Sequence, residues 1–469
     1  MQRRLSHILI SYHFMFDFRL ALSVSYCCTN KLNTPKESTK MSTITKLNEV
    51  ETPNEITAKY KKIIKDNGIH DEVSEVIVKH SALQGAGMVS RQLYATVKFM
   101  DSSFTPLNLF VKEYIDNPHH TELIDDIKAF EKESRFFTEY IPALDEFCKA
   151  KGHEGLLDIY PKCYYGDKTL VLLENLVLDK GYMLLEASEK QNMEAVSFAI
   201  TNLAKHHGLS YAFISELGGP EPFFKRFPNL DFDAYAQPSF RKTFESMMEN
   251  SIKSNIQILE GNNVAGKERA IETLESLAGK VYDTMLNTMN KYDSEEEKLF
   301  VLNHGDYWGN NMMFRKDKVT NKITSHVAID MQLTLYNSLG LDVGFYLFSS
   351  VKPNVRRAHW QEILEMYLST LKETCANLGH PIDLSYDELH VIIRKKIDFG
   401  FWTSVAFADE ACIAGYKELN LNELDDMESF STELIKFIQK WIDENPEKVK
   451  ESAVEMVKLM DEYTQLLIN

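Results

Sequence analysis

The chain has 469 residues, 44% hydrophobic and 26% charged, enough apolar material for one large domain or two to three smaller ones. That balance excludes disorder, collagen-like repeats and low-complexity scaffolds, and a formal charge of −17 argues against general affinity for nucleic acid. Cys27, Cys28, Cys148, Cys163, Cys375 and Cys412 form no C-x-x-C pair, so they read as reduced thiols of a cytoplasmic protein and not as a zinc site or disulfide scaffold.

Residues 1–40 carry six Lys/Arg against two acids, which leaves the rest of the chain near −21. Residues 1–28 imitate a secretory signal, but His13, Asp17 and Arg19 interrupt the apolar run, and no uncharged stretch reaches the ~18 residues of a membrane span. Met41-Ser-Thr would serve as a start. Residues 1–40 are therefore expected to be an upstream extension or a dispensable tail, with no stable membrane association.

Residues 54–66 predict a short amphipathic helix. Strand signals follow at Glu75–Val78 and Arg91–Met100, where Leu93, Ala95, Val97 and Phe99 alternate with Tyr94, Thr96 and Lys98. A turn-rich connector, Asp101–Pro106, leads into Leu107–Tyr114, so the pair predicts a hairpin. Residues 122–141 have a helical pattern with Leu123, Ile127, Phe130, Phe136, Phe137 and Ile141 on one broad face, and Leu170-Val-Leu-Leu is a further strand.

Beyond Asn175 the pattern turns helical, at 192–215, 267–292, 356–378 and 386–414. Gly379 and Pro381 form a stop signal, and Ser385-Tyr-Asp-Glu388 a capping box. A single strand-rich interlude, Met312–Phe314 and His326–Ile329, lies among these helices. The expected fold is α+β: a small antiparallel-sheet lobe at 41–177 and a large, mostly helical lobe at 178–469.

The chemistry-bearing segment is Leu302-Asn-His-Gly-Asp-Tyr-Trp-Gly-Asn-Asn-Met-Met-Phe314. Its His304-x-Asp306-x(4)-Asn311 has the spacing of a kinase catalytic loop. Asp306 must reach the hydroxyl that attacks phosphorus, and Asn311 must turn back to hold Mg²⁺ on a triphosphate. Twenty-four residues after Asp306, an apolar strand ends in Asp330, the position of a second metal carboxylate. Oxygen ligands of this kind suit Mg²⁺.

Upstream, Leu109-Phe-Val-Lys112 matches a strand lysine that grips phosphates, and Glu133 lies 21 residues later in a helix, with Glu131 as a rival partner. Gly85-x-Gly87-x-x-Ser90 is a variant of the phosphate-covering loop that lacks the third glycine. Glu174, Asn175 and Leu176 stand where sheet gives way to helix, the linker against which adenine binds. Each feature alone has an ordinary structural explanation. Their order along the chain is that of an ATP-binding bilobal kinase.

These motifs resemble those of the ecdysteroid kinase-like family, related to choline kinases and aminoglycoside phosphotransferases. His304-Gly-Asp306-Tyr-Trp308-Gly-Asn-Asn311 matches H-G-D-x-W-x-x-N, and Ile329-Asp330-Met-Gln332 matches I-D-F-Q with Met331 in place of Phe. Phe130-x-x-Glu133-x-x-Phe-Phe137 resembles F-x-x-E-x-x-F-Y, which favours Glu133 over Glu131. The resemblance implies that Asp342 buttresses the catalytic loop, and that Leu203-Ala-Lys-His-His207 is the family's L-A-x-x-H helix. Asn175 replaces the usual Asp after Glu174. The implied activity is Mg²⁺- and ATP-dependent phosphorylation of a small-molecule alcohol, an ecdysteroid or a dietary or xenobiotic alcohol. A choline-like substrate, a protein substrate and a silent binding protein are the competing readings, and no A-P-E segment supports the second.

Overall fold

Period-two alternation decides which way the sheet faces. In the computed structural model, which describes residues 54–69, 72–80, 90–114, 118–185, 190–407, 415 and 427–468, five antiparallel strands pair in the order β1-β2-β3-β5-β4. They are β1 Val73–His80, β2 Arg91–Phe99, β3 Leu107–Glu113, β4 Cys163–Gly166 and β5 Leu170–Glu174. One face packs Val76, Val78, Leu93, Val97, Leu109 and Val111 against Tyr60 and Ile64 of the helix Asn54–Asp66. The opposite face of β2 and β3 therefore turns Tyr94, Phe110 and Lys112 toward the rest of the molecule. Tyr94 is buried as well, because its ring meets Phe110 directly across the β2–β3 ladder at 6.0 Å.

The expected helix at 122–141 is broken. Pro118–Asp126 and Ala129–Arg135 are separated by Lys128, whose φ of 53° is left-handed, and a π-helical turn at Phe136–Tyr140 follows before the helix Ile141–Ala150. The apolar face survives the break, since Leu123, Ile127, Phe130, Phe136 and Phe137 are all buried.

Beyond β5 the short helix Leu176–Lys180 leads to β6 Tyr182–Leu184, and helices dominate from Met193–Glu216 onward. The interlude is larger than the sequence suggests. β8 Met312–Lys316 and β9 Ile323–Ala328 form the expected hairpin, but β6 adds a third strand, and β7 Phe300–Asn303 pairs with β10 Leu335–Ser338. Strands of three or four residues carry too little alternation to be read locally. The helix expected at 267–292 is two, Lys267–Glu275 and Val281–Asn290, parted at Gly279 with φ 77°. That expected at 386–414 divides at Lys396 into Tyr386–Lys395 and Ile397–Phe407, and residues 408–414 lie outside those described. The capping box at Ser385 and Glu388 is formed as expected.

Pro238–Glu260 and Pro446–Ile468 are among the large-lobe helices that the sequence patterns did not single out. Their many Lys, Glu, Ser and Asn residues dilute the apolar stripe. The second is fastened by Arg356, a fully buried guanidinium that makes paired 2.8 and 2.9 Å bonds to Glu462 and a third to the Leu347 carbonyl. No helix among the described residues is long and apolar enough to cross a membrane. Glu462→Ala should cost about 3 kcal/mol, since removing one partner strands a buried charge. A urea midpoint equal to wild type would contradict this role for the pair.

Candidate active site

Lys112 stands at the centre of the cleft between the lobes. Its Nζ donates to both carboxylate oxygens of Glu133, at 2.8 and 2.9 Å, and to Asp330 Oδ1 at 2.8 Å. Three elements meet here: β3, the helix Ala129–Arg135 and the turn after β9. Burial disfavours the lysine's charge, but Asp330 and then Glu133 outweigh it and hold the pKa above the usual lysine value. The same burial pushes Glu133 upward, against the pull of Lys112. The choice between the two acids is settled by position: Glu133 faces the lysine, whereas Glu131 accepts from Asn229 at 2.7 Å.

The register of the β8–β9 hairpin brings the other acids in. Met312 pairs with Ala328, so the next residues out, Asn311 and Ile329, are joined by a 3.0 Å backbone bond, and Asp330 follows at once in a left-handed conformation, φ 73°. Met331, the departure from I-D-F-Q, is fully buried and donates its backbone N–H to Glu133 Oε1 at 3.3 Å. Asn311 donates its amide to the Asp306 carboxylate at 2.8 Å and to the Asp306 carbonyl at 2.9 Å, which leaves its own oxygen for a cation. Asp306 is pushed up to about 7 by its removal from water and then by Asp330, opposed by hydrogen bonds from Asn311 and Trp308.

Glu133, Asp330 and Asp306 set three carboxylates against the single ammonium of Lys112. An oxygen-only donor set with excess negative charge fits a divalent hard cation, with Asn311 and Asp330 as its ligands.

The loop between β7 and β8 is gripped from behind. Asp342, fully buried, accepts from the backbone N–H of His304 at 2.7 Å and of Gly305 at 3.0 Å. Burial works against its charge, yet the hydrogen bond from His207 and the neighbouring imidazoles hold it below the usual carboxylate range. An ionised carboxylate only accepts, so His207 carries its proton on Nε2 toward Asp342 (3.1 Å) and receives the Tyr367 hydroxyl at Nδ1 (2.7 Å). His304 in turn donates Nε2–H to the Ile329 carbonyl at 3.0 Å and accepts the Asp306 N–H at Nδ1, 3.3 Å. Gly305 has φ 83°, and a Cβ there would sit 2.1 Å from the Leu333 carbonyl oxygen. No other residue type fits.

The cleft beside Lys112 holds ≈ 630 Å³ of empty space, open solvent at its mouth included. Its apolar walls include Tyr94, Phe110, Leu173, Leu184, Met313 and Ile329, with Lys112 and Asp330 at one end. Glu174, Asn175 and Leu176 line it too. The Glu174 carboxylate is occupied by the Lys162 N–H (2.9 Å) and Lys180 (2.7 Å), so its side chain is a local brace. Asn175 caps the helix Leu176–Lys180 by accepting from Leu178 N–H at 3.0 Å, a task Asn and Asp share, which accounts for the departure from Asp. Ser90 is buried immediately before β2; Gly85 and Gly87 lie outside the described residues.

Lys112, Glu174, Asn175, Leu176, Asn311 and Asp330 line this cleft, Glu133 joins it through Lys112 and Asp306 through Asn311, and Ser90 is not among the lining residues. Sequence reasoning missed Tyr235, whose hydroxyl donates to the Gly305 carbonyl at 2.6 Å, and Lys132, buried on the helix of Glu133. No spacing rule links them to the motifs.

The sequence pattern described as "Ecdysteroid kinase-like family" matches residues 84–380. The chain belongs to the ecdysteroid kinase-like family. It is accordingly a phosphotransferase of the small-molecule kinase kind, acting on hydroxyl groups. No curated protein matches it. Among solved structures it is similar to a choline kinase from Cryptosporidium parvum, at 14% identity and a TM-score of 0.38 over 86% of this chain and 99% of that one. An ethanolamine kinase from Plasmodium vivax is 13% identical, with a TM-score of 0.42 over 87% and 91%. The choline kinase LicA from Streptococcus pneumoniae is 13% identical, with a TM-score of 0.33 over 87% and 100%. At such scores the assignment of the chain rests on the family match.

Two predictions follow from the packing behind the loop. Gly305→Ala should abolish turnover and lower the unfolding temperature, because it forces the loop off Leu333; a fully active variant would contradict the geometry. Burial lowers His206 and His326 to about 3, while the unfolded chain protonates near 6.5. Stability is therefore fully present above about pH 6.5 and is lost as pH falls toward 3. Denaturant titrations at pH 7.5 and 5.5 should show the loss, and it should be smaller in His326→Leu.

Proposed function

We propose that the protein transfers the γ-phosphoryl group of ATP, with Mg²⁺, to a hydroxyl of a lipophilic alcohol such as an ecdysteroid or a dietary or xenobiotic alcohol, in the cytoplasm. The observation that carries the reading is the convergence on one cleft of a buried ion-paired lysine, a carboxylate and an amide oxygen for a cation, and an acid fixed beside them.

Adenine fits between Tyr94 and Phe110 on one side and Leu184 and Met313 on the other. Its edge meets the linker at Glu174–Leu176, where Leu176 opens a helix and its N–H has no intrahelical acceptor. Lys112, held by Glu133, binds the α- and β-phosphates. Asn311 and Asp330 would hold Mg²⁺, which when bound screens the triphosphate charge as it shifts toward the leaving group.

Asp306 orients the acceptor hydroxyl and takes its proton. The new bond joins the hydroxyl oxygen to the γ-phosphorus. The bond from that phosphorus to the bridging oxygen breaks, and ADP leaves with the electron pair. Asn311 keeps Asp306 from swinging away, and Asp342 keeps the backbone beneath it from shifting. The work is positioning and electrostatics, as phosphoryl transfer requires.

The test is ADP formation by the full chain with Mg²⁺ against a panel of ecdysteroids, plant alcohols and choline. Turnover with a sterol or xenobiotic alcohol, reduced about 10²–10⁴-fold in Asp306→Asn, is expected. Turnover with choline alone would overturn the lipophilic substrate, and an undiminished Asp306→Asn would overturn the role of that acid.

A further inference from the structure

The helix that carries Glu133 presents a second buried charge that phosphoryl transfer does not use. Lys132 is 0% exposed. Its ammonium donates to the Phe232 carbonyl at 2.8 Å, and burial lowers its pKa to about 7 in spite of Asp233 and Asp231 nearby. Burying a lysine is costly unless the amine is paired or hydrogen-bonded, and here the Phe232 carbonyl supplies the bond.

Phe232 lies in a segment between the helices Pro220–Arg226 and Pro238–Glu260, far from Lys132 in sequence. The segment is fastened to the Glu133 side at several further points. Lys128 donates to Asn229 at 3.2 Å and lies over the Phe232 ring at 4.3 Å. Asn229 donates to Glu131 at 2.7 Å. At its far end, the Ser239 hydroxyl and N–H both donate to Asp126.

Three residues after Phe232 the same segment reaches the catalytic loop. Tyr235 donates its hydroxyl to the Gly305 carbonyl at 2.6 Å, and Tyr282 donates to the Tyr235 carbonyl at 2.7 Å. Asp233 stiffens the connection by accepting from the N–H groups of Tyr235 and Ala236. Residues 229–239 are thus a strap, joined at Asn229, Phe232 and Ser239 to the segment that leads into Glu133 and at Tyr235 to the backbone beside Asp306.

We infer that Lys132 is a positioning residue: its buried ammonium hooks the Glu133 helix to the strap, so that the grip on the nucleotide phosphates and the placement of Asp306 are set together. This rests on the kinase reading for its purpose but not for its existence. The coupling runs through four consecutive residues, Phe232 to Tyr235, and needs no contact between Lys132 and either substrate. Displacing the hook frees both ends.

The experiment uses the full chain as wild type, Lys132→Met, Tyr235→Phe and the double variant. Methionine keeps the length of the stem, and Tyr235→Phe approaches the strap from its other end should Lys132→Met fold poorly. Amide hydrogen exchange without nucleotide should quicken about tenfold at both 129–135 and 304–311 in each single variant, the scale of one charge-assisted or buried hydrogen bond. The double variant should show less than the product of the two effects, as coupled sites do. Acceleration confined to the mutated end, or effects that multiply in full, would overturn the inference.

Slow ATP hydrolysis, with water as acceptor, supplies a functional readout. Lys132→Met should lower kcat about tenfold and weaken MgATP binding by a similar factor, because the grip and the acid loosen together. A change in Kd with kcat intact would overturn the positioning role. Wild-type protein that binds no MgATP would defeat the kinase reading, and the exchange data would still decide the strap.

Discussion

A buried ammonium sets the terms for this fold. Lys112 has lost its water, and only the simultaneous presence of Glu133 and Asp330 makes its charge tolerable. Taking an ion from water costs several kcal/mol after relaxation, so all three segments must arrive together or not at all. β3 fixes the lysine by alternation along the strand. The broken helix delivers Glu133 from the side, and the β8–β9 register delivers Asp330 from below.

The second constraint is the loop carrying Asp306. It is short and turns through Gly305 in a left-handed conformation open to glycine. The Asp342 carboxylate accepts from two of the loop's backbone N–H groups, His207 donates to Asp342, and Tyr367 donates to His207. Each member of this chain is buried and each leans on the next, which is how a preorganised site keeps its geometry. The helices that supply these groups are themselves closely packed. A Cβ at Gly400 would lie 2.3 Å from the Gly344 carbonyl carbon, so the helix of Asp342 has nowhere to slide.

Much of this was legible in the sequence, for local reasons. Lys112, Asp306, Asn311 and Asp330 sit at strand ends and in one loop, where spacing and strand register already limit where side chains can go. The β2–β3 hairpin and the β8–β9 hairpin announce themselves by alternation and turn residues. What stayed hidden depends on contacts between distant segments. Neither Lys132 nor Tyr235 is a defining position of a motif, and the strap 229–239 looks like an ordinary connector until Lys132 and Gly305 are seen beside it. The breaks at Lys128 and Lys396 were equally invisible, because the apolar pattern continues across both while the backbone does not. β7 and β10 are too short to show a period, although they anchor the two ends of the catalytic segment.

The central claim is that Lys112, Asn311 and Asp330 form a nucleotide and metal site. Calorimetric titration of ATP into the full chain, with and without Mg²⁺, and into Asp330→Ala tests it most directly. The account predicts saturable binding that tightens at least tenfold with Mg²⁺ in the wild type and loses that Mg²⁺ dependence in Asp330→Ala. ATP that binds equally well without the metal, or an Asp330→Ala variant that responds to Mg²⁺ as the wild type does, would contradict it.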